Sequence, residues 1–131
     1  MNIVVDTSVI IAVLLNEPNK SSLIEVTSEA TLYAPASLHW EIGNALSAMF
    51  KQKRLSLDQA HKALRIYSQI TLNLVDVDLG KSLHVSSDQG IYAYDAYFVI
   101  CAQKLHAPLL SLDKGLKEAA KQAGIKLLEV A

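Results

Sequence analysis

The stretch Met1-Asn2-Ile3-Val4-Val5-Asp6-Thr7-Ser8-Val9-Ile10-Ile11 decides the fold class. Ile3 to Val5 are apolar and β-branched, as expected for a short strand buried on both faces. The acid Asp6 follows at once. Thr7 and Ser8 are helix-capping residues, and another apolar run starts at Val9. A strand that passes straight into a helix is the opening of an α/β unit. A carboxylate between two buried segments is costly to keep charged unless a metal, a cation or hydrogen bonds compensate it. Asp6 therefore has two roles open to it, cap or ligand. Because Thr7 and Ser8 can cap the helix, the expectation is that the Asp6 carboxylate is left free for a metal.

The same alternation continues along the chain. Helices are expected over residues 7–15, 19–29, 36–53, 57–70, 79–88, 94–105 and 114–122, with Asn19, Ser56 and Asp78 as N-caps. Strands are expected over residues 2–6, 31–34, 74–77, 109–112 and 126–130. Leu38, Ile42, Leu46, Met49 and Phe50 mark the clearest helical core stripe. The reading is an α/β sandwich with a mostly parallel central sheet of about five strands, in one domain over residues 1–131. Ligands in such sheets bind at the carboxyl ends of the strands. Asp6 and Asp113 both fall at such ends.

Bulk properties narrow the class. Hydrophobic residues make up 51% and charged residues 19%, which indicates a globular chain and excludes a disordered one. The longest apolar run, Val9 to Leu15, falls well short of the roughly 20 residues of a membrane span. With no basic run ahead of the first strand in this sequence, no secretory signal is expected. The single cysteine, Cys101, cannot pair within the chain, so a reducing cytoplasm is expected. Net charge is −1, but it is unevenly spread. Lys51, Lys53, Arg54, Lys62 and Arg65 gather against Asp58 alone. They form either a solvated helix face or a surface for a polyanion.

Three further acids share the apolar setting of Asp6. Glu41 lies one position off the core stripe of its helix, with Asn44, Ala45 and Ala48 on its own face. Asp95 opens a helix above Phe98, Val99 and Ala102, inside the aromatic run Tyr92, Tyr94, Tyr97. It is either a ligand or a first-turn acid favoured by the helix dipole. Asp113 follows Leu-Leu-Ser-Leu and could be an N-cap, and Ser111 points to its side of the strand. His39, His61, His84 and His106 lack zinc-ligand spacing. Glycine-rich phosphate loops and nucleophile elbows are missing from the sequence. Cys101 reads as packing, and Trp40 as a core or interface residue. Oxygen ligands alone favour Mg²⁺ or Mn²⁺, ions suited to phosphoryl chemistry.

These pieces in order resemble the PIN domain, and within it the VapC-type toxin ribonucleases of toxin–antitoxin pairs. The segments that carry the resemblance are VVDTSVI around Asp6, HWEIGNAL around Glu41, YAYDAYFVICAQKLHAPLLSLD from Asp95 to Asp113, and the closing KLLEV. The resemblance implies a three-layer α/β/α sandwich and a Mg²⁺-dependent endoribonuclease, with Mn²⁺ as a possible substitute. It implies Asp6, Glu41, Asp95 and Asp113 as the catalytic acids. Asp6, Asp95 and Asp113 would ligate the metal, and Glu41 would act through bound water or a second ion. Ser8, Asn44 and Ser111 would support them. Some relatives carry a further acid after the fourth, where this chain has Lys114-Gly115-Leu116-Lys117. The implied partners are RNA, a small VapB-type antitoxin lying over the acidic groove, and a second copy of the chain, with a larger toxin–antitoxin hetero-oligomer also open. A receiver-type phosphoacceptor domain is a rival, but it needs paired acids after the first strand and an acceptor ending the third. A non-catalytic RNA- or protein-binding module of the same fold is another. A DNA or flap nuclease is a third, and the chain lacks the insertions for threading a flap.

Overall fold

The computed structural model describes residues 1–130. The elements run β1 (Asn2–Val5), α1 (Thr7–Leu14), α2 (Lys20–Thr27), β2 (Thr31–Pro35), α3 (Leu38–Lys51), α4 (Leu57–Tyr67), β3 (Leu72–Val75), α5 (Leu79–Gln89), α6 (Ala93–Leu105), β4 (Leu109–Leu110) and α7 (Lys114–Gln122). The sheet order is β3-β2-β1-β4, and every pairing is parallel. In register, Val4 faces Tyr33 on one side and Leu109 on the other. β1 is thus central, and Ile3, Val4 and Val5 are at most 1% exposed, as a strand covered on both faces requires.

Helices form the outer layers of an α/β/α sandwich. α1 packs with α2, α3 and α4, while α6 lies on β1, β2 and β4 between α5 and α7. Phe98, Val99 and Ala102 of α6 are buried in the same core as Val9, Leu14, Leu38, Ile42 and Leu46. Burying such side chains is worth about 1.5–3 kcal/mol each. Among the described residues, no helix is long and apolar enough to cross a membrane.

The expected fifth strand is not a strand. Residues 126–130 touch the sheet at one bridge, Leu127 beside Leu109, with Leu109 N donating to Lys126 O and Leu128 N to Leu109 O. The cause lies in β4, which is two residues long instead of the expected four. Leu112 N donates to Ser8 Oγ and Asp113 N to Ser111 Oγ, so the backbone leaves the ladder for side-chain partners. β3 begins at Leu72, two residues before the expected start, which puts Asp76 just past its end instead of inside it.

Local signals held at several ends. Ser56 and Gln59 form a capping box on α4. Asp78 caps α5, and Gly90 ends it in the left-handed region at φ 66°. Asn19 is the exception: it precedes α2 but makes no cap bond, and its buried Oδ1 has no partner among the described residues. Trp40 is not a core residue, being 77% exposed.

Candidate active site

Asp6 lies where β1 ends and α1 begins, and it is 4% exposed. Its Oδ1 accepts from Ser8 Oγ at 2.6 Å and from Val9 N at 3.1 Å. Its Oδ2 accepts from Ser111 Oγ at 2.5 Å. The expectation that Thr7 or Ser8 would cap α1 is therefore wrong: Asp6 caps it, and Ser8 serves Asp6. Burial pushes the Asp6 carboxyl above the usual carboxylate range. The two hydroxyls and the Val9 amide pull it back in part, and the Asp113 charge adds to the rise.

Glu41 reaches the same region from the first turn of α3. Its Oε1 accepts from Thr7 Oγ1 at 3.3 Å and its Oε2 from Ser37 Oγ at 3.0 Å. Burial raises its pKa most, and the charges of Asp95 and Asp6 raise it further. Thr7 and Ser37 were not expected as partners of this acid. Ser37 could have been found, since it lies one helical turn before Glu41; Thr7, on another element, left no sequence signal.

Asp95, half-buried in the first turn of α6, is raised by burial and then by Asp113. Asp113 caps α7, with Oδ1 accepting from Gly115 N at 2.8 Å and Leu116 N at 3.2 Å. Its Oδ2 lies outside the cap's hydrogen bonds. A Cβ on Gly115 would approach Oδ1 to 3.3 Å, so glycine suits this cap. Each of the four acids is electrostatically coupled to at least one other. Four elements that are remote in sequence bring them together at the carboxyl side of the sheet.

Ser8 and Ser111 act as a pair. Each donates to Asp6 and accepts an amide from the β4–α7 connection. Asn44 sits one turn after Glu41 and is exposed.

Among the described residues, no lysine or arginine pairs with these acids. Among the described residues the one contact of salt-bridge geometry is between His84 Nε2 and Asp88 Oδ2, 3.2 Å apart. The basic segment lies elsewhere: Arg54 and Lys62 line a cleft of about 490 Å³ with Leu14, Leu15, Met49 and Ile66. Met49 is eight residues along α3 from Glu41, about 12 Å at the helical rise. An uncompensated set of carboxylate and hydroxyl oxygens fits a hard divalent cation in its chemistry. Among the described residues, no three acidic, histidine or cysteine side chains converge closely enough to hold an ion as they stand. Ligation therefore needs rotation of the freer carboxylates, Asp95 and Asp113, or water between acid and ion.

Cys101 is fully buried, and burial pushes its thiol up to about 11, so it packs and is no nucleophile at neutral pH.

A parallel α/β/α sandwich with acids gathered at its carboxyl edge defines the class of protein. The chain belongs to the PIN domain family, whose sequence profile matches residues 3–122. PIN domains are nucleases. Solved structures share the fold. PAE2754 from Pyrobaculum aerophilum aligns with a TM-score of 0.71 at 20% identity, covering 92% of this chain and 81% of that one. VapBC2 from Rickettsia felis, bound to a DNA fragment from its promoter, aligns with a TM-score of 0.71 at 16% identity, covering 100% of both chains. FitAcB from Neisseria gonorrhoeae aligns with a TM-score of 0.66 at 14% identity, covering 97% and 96%. No curated protein matches the chain.

Proposed function

We propose that this single-domain chain is a Mg²⁺-dependent endoribonuclease, the toxin of a toxin–antitoxin pair held in check by a small VapB-type antitoxin in the cytoplasm. The observation that carries the reading is the set of four coupled carboxylates without a cationic partner, in a PIN domain. Asp6, Asp95 and Asp113 would hold the ion, with Mn²⁺ able to replace Mg²⁺. The ion would neutralise the phosphate and activate a water for in-line attack. Ser8, Ser111 and the Val9 amide hold the Asp6 carboxylate in one orientation, so it meets an incoming cation already placed. Thr7 and Ser37 do the same for Glu41, which would position or deprotonate a water. Asn44, exposed on the same helix face, would contact the substrate.

The fold neighbours VapBC2 and FitAcB support an antitoxin partner. The cleft beside Leu14, Met49 and Ile66, edged by Arg54 and Lys62, suits an amphipathic segment with acidic flanks. Leu79 and Leu83, 59% and 52% exposed one turn apart on α5, suit a second copy of the chain.

The test is cleavage of single-stranded and structured RNAs, with matched DNAs, in Mg²⁺, Mn²⁺ or EDTA. RNA cleavage that needs the ion and is abolished by Asp6→Asn is expected. Cleavage that survives EDTA or Asp6→Asn, in protein free of contaminating nuclease, overturns the assignment.

A further inference from the structure

The β4–α7 connection is fastened to the site by three hydrogen bonds. Ser111 Oγ bridges Asp6 Oδ2, at 2.5 Å, and Asp113 N, at 3.0 Å. Leu112 N donates to Ser8 Oγ at 3.0 Å. The start of α7 is therefore held beside Asp6, and two lysines come with it. Lys114 is the first residue of α7, directly after Asp113. Lys117 lies within the next turn, and its N donates to Asp113 O at 3.0 Å. Side chains of a helix lean toward its N-terminus, so both lysines lean toward the end that Asp113 caps.

Neither lysine serves the helix. Cations at a helix start oppose the dipole, and the first turn of α7 has no acid to offset them. Lys117 also shares a face with Lys121, four residues on, as a like-charge pair. Glu118 is spaced to pair with Lys114, but its Oε1 accepts from Gln122 Nε2. Lys20 Nζ and Lys104 Nζ have acceptors, in Asn16 Oδ1 and Asp76 O. Among the described residues Lys114 Nζ and Lys117 Nζ have neither an acceptor nor an ion pair. A local rule broken without a compensating contact marks a functional position.

The charge of the site supplies the need. Four carboxylates around one divalent ion leave a surplus of negative charge, and a phosphodiester adds to it. Two ammonium groups carry the charge of a second ion. Other cations lie farther along their elements. Lys51 is ten residues past Glu41 on α3, about 15 Å at the helical rise, and Lys104 is nine past Asp95 on α6, about 14 Å.

We propose that Lys114 and Lys117 form a phosphate clamp, which holds a backbone phosphate of the RNA on the Asp113 side of the acids and so places the neighbouring phosphodiester among them. This deepens the nuclease reading and rests on it for the identity of the polyanion.

The experiment reads salt dependence, which counts phosphate contacts. In the Asp95→Asn variant with Mg²⁺, binding of a fluorescent single-stranded oligoribonucleotide is followed by anisotropy over a range of salt. Each phosphate contact to a single strand adds about 0.7 to the slope of log Kd against log salt. Lys114→Gln and Lys117→Gln should each remove about that much, and Lys114→Arg and Lys117→Arg should keep it. Lys121→Gln, farther down the same helix, should leave the slope as it was. In the otherwise unaltered protein, the two glutamine variants should raise KM on the order of fivefold, with kcat nearly constant and the melting temperature in EDTA unmoved. A slope and KM unmoved by the double glutamine variant overturn the clamp. An equal loss of slope from Lys121→Gln also overturns it, because the attraction is then diffuse surface charge. So does a lower melting temperature in EDTA with an unmoved slope, because the lysines then only offset the acids. RNA cleavage with an unmoved slope leaves the nuclease reading standing and removes the clamp. The expected loss of slope, in a protein whose unaltered form cuts no RNA, keeps the clamp as an anion site and removes the nuclease reading.

Discussion

Ser111 Oγ donates to Asp6 Oδ2 at 2.5 Å, joining residues 105 positions apart in the chain. The same oxygen accepts from Asp113 N at 3.0 Å. One buried hydroxyl thus ties the end of β1 to the connection that carries the fourth acid. Ser111→Ala removes a donor from a buried carboxylate and the acceptor of an amide. The expected cost is about 1–3 kcal/mol in urea unfolding, with an unchanged m-value. A cost below a few tenths would show that the hydroxyl is incidental.

The acids should make the metal-free protein less stable as pH rises. Asp6, Glu41 and Asp95 each have a folded pKa above the ordinary value, 3.8 for Asp and 4.5 for Glu, with burial as the main cause. Each therefore binds its proton more tightly folded than unfolded. The stability this confers is full below the ordinary value and is lost as pH rises through the raised one. In EDTA, melting scans upward from about pH 4.5 should show this loss, and Asp6→Asn should flatten the dependence. A melting temperature that climbs steadily to pH 8, in both proteins alike, would count against the raised values.

Divalent ions should reverse that penalty. An ion that binds only the folded state at about 100 times its Kd adds roughly 2.7 kcal/mol. For a chain of this length that raises the melting temperature by several degrees. Mg²⁺ or Mn²⁺ should give such a rise at pH 7, and Asp95→Asn should reduce it. No shift with either ion at millimolar concentration would remove the metal site.

Cys101 should resist thiol reagents in the native state. It is fully buried, and its thiol is pushed up to about 11. Labelling with an aromatic disulfide at pH 8 should follow unfolding, and in denaturant should be complete within the dead time of mixing. Rapid labelling of the native protein would show that α6 opens readily.

Much of this molecule could be read locally. Asp6 and Asp113 were visible as acids after expected strands because Ile3 to Val5 and the Leu-rich stretch Leu109 to Leu112 run up to them. The expected core stripe of α3 holds at Leu38, Ile42 and Leu46, which are buried, but fades at its end, where Met49 is partly buried and Phe50 is 37% exposed. The Ser56 capping box and the Gly90 cap needed only near neighbours. At Asp6, where the reading missed, the deciding partner was distant. Asp6 caps α1 because Ser8 is engaged by Leu112 N, which arrives from the far end of the chain. Asn19 has the chemistry of a cap but makes no cap bond. Of the two roles open to Trp40, core or interface, its exposed position in α3 removes the first.

The amino-acid sequence by itself determined the α/β alternation, the residue types available to the site and the lack of soft metal ligands. These depend on periodicity and chemistry within a few residues. Tertiary structure decided which acids share a field, which hydroxyls hold them and how far the sheet extends. Those outcomes rest on contacts between β1, α3, α6 and the β4–α7 connection, which no local pattern encodes. The Asp6, Glu41 and Asp95 carboxyls are raised because burial and neighbouring charge act through space, and only folding sets those distances.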